Sequence, residues 1–202
     1  MTARIQRVFD FTAGVYLNNE LIMTNYDLEI DFLVSTEENY EQNTALDRIK
    51  YIIHEKFDSA IFINETEYET IEKLVAADLK VITLPEDPYD QIVGIAAMLK
   101  LNSILDGKFV ATDIKTTSGI SDGVSYYYSM EEDIGPFVVK GWWSDSSPNT
   151  NGRIQKPKNI KVLKLTKTAH SWEDLSLGWV EQAPKTMLSD VVFVDFEHKA
   201  DK

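Results

Sequence analysis

Four groups of residues in this chain are of types that could do chemistry. Lys115 is followed directly by Thr116, an amine beside a hydroxyl, the pair of types that a base and a proton relay use. Three histidines, His54, His170 and His198, carry the side chain that ordinarily titrates near neutrality. Arg153, Lys156, Lys158, Lys161, Lys164 and Lys167 form a basic run with no acid from Gly152 to Thr168. Glu37 and Glu38, and the series Glu65, Glu67, Glu69 and Glu72, supply carboxylates for a hard cation.

Each group has a plain reading beside the chemical one. Lys115 fits a strand lysine pointing to solvent. His54 follows Ile53 but lies off the apolar stripe of its segment, as a boundary residue does. His170 stands too close in sequence to Ser171, Glu173 and Asp174 for a triad, whose members converge from separate segments. His198 reads as solvated. The glutamates lack the alternating oxygen ligands around a glycine that a calcium loop needs, and read as a solvated face. The basic run, with Trp142, Trp143 and Trp172 near it in sequence, has the types that contact phosphates and stack on bases. A lysine every two or three residues also protects an edge strand, or docks on an acidic second copy. These last two readings are favoured over nucleic acid.

Composition narrows the field. The 202 residues contain no Cys, so there is no disulfide framework, no thiolate zinc ligand and no thiol nucleophile. The formal net charge of -13 argues against a protein that coats nucleic acid or an anionic membrane. That charge is uneven: residues 1–100 hold 19 acids and 8 bases, whereas residues 101–202 are nearly balanced. All four Trp fall in the second half. No stretch approaches a membrane span, and the charged start, Met1 to Phe11, lacks the apolar core of a signal peptide. A cytoplasmic location is expected.

The elements that must position these residues follow from periodicity. Ile5–Leu17 reads as a strand and Asn18-Asn19 as a turn. Tyr26–Val34 reads as the clearest strand, with Leu28, Ile30, Phe32 and Val34 alternating with Asp27, Glu29 and Asp31. Asn43–Phe57 has the helical stripe Leu46, Ile49, Ile53 and Phe57, capped by Asn43 or Thr44. Glu65–Ala77 reads as a shorter helix, and Val81–Leu84 as an extended piece. Asp87–Leu105 reads as a helix with Asp87 at its N-cap and Pro88 at its first position; its middle is apolar on most sides. Lys108–Thr117 and Val124–Met130 read as paired strands. Phe137–Trp143, Ile160–Thr168 and Val191–Phe196 are candidate strands, and Ser144–Gly152 is a loop.

Several short phrases, in order, resemble the T-fold family of pyruvoyl-tetrahydropterin synthases and their queuosine-pathway relatives. Phe9-Asp10-Phe11-Thr12-Ala13-Gly14-Val15 resembles the family's first-strand phrase, Phe-x-Phe-Ser-Ala-Ala-His. Ile22-Met23-Thr24-Asn25-Tyr26 resembles its His-Gly-His-Asn-Tyr. Phe57-Asp58-Ser59 with Ile63-Asn64 resembles Leu-Asp-His with Leu-Asn. Thr83-Leu84-Pro85-Glu86-Asp87 resembles Pro-Thr-x-Glu-Asn, and Lys115-Thr116-Thr117-Ser118 stands where the family carries Glu-Thr and a nearby Ser. The resemblance covers about two thirds of the chain.

The resemblance implies an α+β fold: an antiparallel sheet with two main helices on one face over residues 1–130. A β-rich extension, 131–202, is expected to pack on it. A ferredoxin-like α+β sandwich has the same element order. The resemblance also implies a ring-like homo-oligomer. The family's chemistry is missing. Its three zinc ligands would fall on Val15, Ile22 and Thr24, its catalytic His on Ser59, and its ligand-holding Glu on Lys115, which donates where a carboxylate accepts. No metal and no cofactor are therefore expected. The first expectation is a non-catalytic homo-oligomeric binding or structural protein. The second is a metal-independent enzyme or binder of a purine- or pterin-like heterocycle. Its pocket would hold Glu86, Lys115, Thr116 and Ser118, with Lys115 and Thr116 as catalytic candidates by analogy with the metal-free urate oxidases. A nucleic-acid accessory protein is the third.

Overall fold

The computed structural model describes residues 3–150 and 171–180, and the backbone of a short hairpin, Arg153–Gln155 against Val162–Lys164. The chain opens on a long hairpin. Strand β1 (Ala3–Leu17) and strand β2 (Glu20–Val34) pair antiparallel along their whole length. Asn18 and Asn19 turn it, at φ 53° and 65°. A two-residue turn with both φ positive matches the twist of the strands, and Asn tolerates that backbone better than most side chains. The alternation read in Tyr26–Val34 is the alternation observed: Tyr26, Leu28, Ile30, Phe32 and Val34 are buried, and the intervening acids lie on the other face.

Strands β3 (Ile61–Asn64) and β4 (Val81–Leu84) are short and apolar. They run parallel to β1 and extend the sheet beyond it. Strand β5 (Phe109–Ser118) pairs antiparallel with β2, and β6 (Ser125–Ser129) with β5. The order is β4-β3-β1-β2-β5-β6. The α+β class stands, and the sheet is mixed rather than wholly antiparallel. The reason lies in β3 and β4, which are buried on both faces as parallel strands are.

Helix α1 (Asn39–Lys50) starts earlier than its apolar stripe and runs on through a π-helical turn, Tyr51–Phe57. Helix α2 (Tyr68–Ala76) packs Ile71 with Ile63 and Val81, beside Tyr16. Helix α3 (Asp90–Ile104) begins at Asp90 rather than after Asp87, because Tyr89 is still extended (ψ 156°). Helices α1 and α3 share one core with the buried face of β1, β2 and β5, whereas α2 joins a separate cluster with Ile63 and Val81.

The segment expected as a strand over Phe137–Trp143 instead forms two 3-10 turns, Gly135–Val138 and Trp142–Ser144. A strand would send Trp142 and Trp143 to opposite faces. Both are buried, Trp142 edge-on to Phe57 and Trp143 edge-on to Phe137, and here a turn rather than a strand brings both rings inside. A second segment, 171–180, is held by Arg48. Its guanidinium lies 4.5 Å from the Trp172 ring and 4.0 Å from the Trp179 ring, and donates to the carbonyls of Leu177 and Ile104 at 2.8 Å. The side chains of the basic run, with His170, His198 and the candidate strand 191–196, lie outside the described residues. No helix among the described residues is long and apolar enough to cross a membrane.

Helix α3 packs tightly on the sheet at Gly94. A Cβ there would sit 2.3 Å from Thr116 Oγ1. The substitution Gly94→Ala should therefore destabilise by about 1–3 kcal/mol through overpacking, despite the better helix propensity of Ala. Adding Thr116→Ala should recover most of the loss. Urea unfolding of the two single variants and the double variant measures this; additive losses would show that the contact is not the cause.

Candidate functional site

The sequence candidates do not meet in one place. Consecutive strand residues face opposite sides of a sheet, and this separates Lys115 from Thr116. Thr116 is buried on the helix side under Gly94. Lys115 lies on the other face, with its ammonium 2.5 Å from Glu29 Oε1 and 5.9 Å from the Tyr127 ring centre. The hydrogen bond to Glu29 holds the Lys115 ammonium above the usual lysine range, the opposite of what a general base needs. The hollow around it, between Gln6, Glu29, Asp31 and Asp113, is about 120 Å³, small for an organic ligand. Glu86 is exposed on the loop before α3.

Ser118 sits elsewhere, in a buried polar cluster at the start of α3. It donates to Asp90 Oδ1 at 2.7 Å, and Ser121 donates to Asp90 Oδ2 at 2.6 Å. Asp90 also lies where the helix dipole favours an acid. Tyr26, paired with Ser118 across the sheet, is fully buried, and its hydroxyl has no partner among the described residues. Burial first, and Asp90 second, push that hydroxyl well above the ordinary tyrosine range. The cluster ties the 118–121 turn to α3.

The positions on which the resemblance would place zinc ligands carry no metal-binding group. Val15 is buried among core side chains and paired with Ile22. Thr24 Oγ1 accepts from the Gly119 N–H at 3.0 Å. Ser59 is in a tight turn at φ 59°, its N–H bonded to the Thr12 carbonyl. Among the described residues, no three His, Asp or Glu side chains gather as a metal site. His54 is exposed, its ring 6.4 Å from Phe9.

A larger concavity is one the sequence did not point to. A groove of about 470 Å³ opens between the carboxyl ends of β3 and β4 and the Trp142–Ser144 turn. Glu65, Thr83, Pro85, Trp142, Trp143 and Asp145 line it, with Lys140 also on its wall. The Trp142 indole N–H donates to the Thr83 carbonyl at 2.8 Å, which joins the two walls. Behind the turn lies Lys100, fully buried on α3. Its ammonium donates to the carbonyls of Trp142, Asp145 and Ser147 at 3.1, 2.6 and 2.8 Å. Gly141 lies beneath the folded-back Trp143 ring, 2.4 Å from where a Cβ would stand. The signal in the sequence was the pair Gly141 and Trp142-Trp143, a glycine followed by two large rings.

These features define an α+β protein whose six-stranded sheet carries α1 and α3 on one face and a preformed groove at the ends of its parallel strands. No protein-family model matches the chain, and no curated protein matches its sequence. Among solved structures it is similar to an uncharacterized protein from Wolinella succinogenes. That match has 12% identity and a TM-score of 0.46, over 64% of this chain and 99% of that one. It is also similar to 6-pyruvoyltetrahydropterin synthase of Plasmodium vivax, a catalytic-residue mutant, at 8% identity and TM-score 0.40, over 63% and 97% of the two chains. The Plasmodium falciparum synthase matches at 12% identity and TM-score 0.38, over 64% and 99%.

Lys100 gives a signed pH prediction. Burial, opposed by Asp145 and reinforced by Lys56, pulls its amine from 10.5 down to about 7. Between about pH 7 and 10.5 the unfolded chain then holds a proton that the folded chain has released. Stability therefore rises with pH across that window, by up to about 1.4 kcal/mol per unit, and is flat on either side. Chemical denaturation of wild type and Lys100→Met from pH 6 to 10 measures it. The difference between the two should carry this slope, whereas a constant difference would place the Lys100 pKa near its ordinary value.

Proposed function

We propose that the chain is a non-catalytic binding or structural protein that works as a homo-oligomer. The carrying observation is a pair of open sheet edges. Strand β6 ends the sheet on one side. On the other side β3 joins β1 only at Gly14 and Val15, so residues 3–11 of β1 have no strand on that flank among the described residues. Unpaired N–H and C=O rows of this length invite another strand, and proteins otherwise cover, shorten or charge them. Beside the β6 edge stand Val124, Tyr126 and Met130, 53%, 38% and 50% exposed, a row of apolar side chains that an uncovered edge would avoid. A heterologous contact between β6 of one copy and β1 of the next leaves the same two edges free at the ends, so it closes only as a ring.

The non-catalytic half of the proposal rests on how the candidates are engaged. Lys115 is held charged by Glu29, Thr116 is packed under Gly94, and Ser118 is bonded to Asp90. The T-fold resemblance supports the assembly, since its pyruvoyl-tetrahydropterin synthase members are ring-like oligomers.

Light scattering behind size exclusion should give a mass several times the 23.0 kDa of one chain. The double substitution Val124→Lys/Tyr126→Lys should shift it toward one chain, because like charges at an edge oppose pairing. A wild-type monomer at micromolar concentration would sink the proposal, as would an oligomer that the double substitution leaves intact.

A further inference from the structure

We propose that the groove beside Trp142 and Trp143 binds a small organic cation, an amine or guanidinium on an apolar stem. Its volume, about 470 Å³, falls in the range of small-molecule sites. It lies just beyond the carboxyl ends of two adjacent parallel strands, with Glu65 following β3 and Pro85 following β4, the place where parallel sheets offer ligands a crevice. Its walls are set in advance. The Lys100 ammonium fixes three carbonyls of the 142–147 segment, and the Trp142 indole is tied to Thr83. Preorganised walls spare a ligand the cost of ordering them.

The lining selects the charge. Two acidic residues, Glu65 and Asp145, line the groove together with one basic residue, Lys140. Glu65 is exposed, yet partial burial pushes its carboxyl up. Asp145 Oδ1 accepts from the Ser147 N–H at 2.9 Å. A cation entering here gains two carboxylates, while an anion would meet both of them to reach Lys140. Pro85, Pro136 and the exposed Val139 offer the apolar surface that a short alkyl stem covers, while the two indoles, nearly fully buried, form the floor beneath it. The -13 net charge raises the local concentration of any cation. The groove is built within one chain, so this proposal does not depend on assembly.

The test is an NMR titration of the full chain, following the indole N–H signals of Trp142 and Trp143. Agmatine and butylamine serve as cation probes, and butyrate as the anion of similar stem. Saturable shifts with agmatine are expected at a Kd of about 5 mM or tighter, and no saturation with butyrate. In the isosteric double variant Glu65→Gln/Asp145→Asn, which keeps the Ser147 acceptor, agmatine should bind at least about fivefold more weakly. Three results would each overturn the proposal: no saturation by agmatine to about 50 mM, equal affinity for butyrate, or unchanged affinity in the double variant. The probe comparison on wild type stands even if the variant does not fold.

Discussion

Burying helix α3 is the constraint on which the rest of this structure depends. From Ile92 to Met98 every residue is buried, including Gly94, Ala96 and Ala97. A helix apolar all round must be enclosed on all sides. The sheet supplies one wall, and Gly94 lets the helix settle onto Thr116 there. Another wall comes from beyond the sheet, where the Trp142–Ser144 turn packs against α3 and Lys100 of α3 reaches into that turn. Without residues 135–147 the helix would expose a large apolar patch.

The parts of the fold legible in the sequence are those where one face meets water. Strand β2 alternates because the sheet beneath it is covered on one side only, so its period of two survives in the residues. The stripe Ile49, Ile53 and Phe57 survives along α1 and the π-helical turn that continues it for the same reason. Where an element is enclosed on both sides, the signal disappears. Ile61-Phe62-Ile63 and Val81-Ile82 are uniform apolar runs, which reveal neither that they are strands of the main sheet nor their direction. Phe137–Trp143 reads as a strand because adjacent aromatics carry β propensity, yet it forms two 3-10 turns. Only Gly141 and Pro136 hinted otherwise.

The candidate site shows a similar division. Adjacency in sequence suggested that Lys115 and Thr116 act together, but within a strand adjacency means opposite faces. Ser118, two residues from Thr116, lies on the same face, and its hydroxyl is taken by Asp90. The Asp90 contact joins residues 28 apart, and no local pattern announces it. The groove is less legible still: Glu65, Thr83 and Trp142 come from three separate segments. What the resemblance supplied was the order of the elements. Where the resemblance leads one to expect imidazoles and a carboxylate, the sequence has Val15, Ile22, Thr24, Ser59 and Lys115.

The charge asymmetry acquires a structural meaning through two buried cations. The first hundred residues are strongly acidic, yet Arg48 and Lys100 from that stretch are both buried, with side chains bonded to carbonyl oxygens rather than carboxylates. A buried cation bound only to backbone oxygens is expensive to hold, and burial pulls both groups down from their ordinary pKa values. What each gains is a segment of the back half. Arg48 fixes 171–180 through Leu177 and two indoles, and Lys100 fixes 142–147. These segments have little regular structure to satisfy their own carbonyls, so cations anchored on α1 and α3 take the place of a hydrogen-bonding strand. The groove wall is thus fastened to the helix that the sheet encloses, and a change at Lys100 reaches Trp142 through one hydrogen bond.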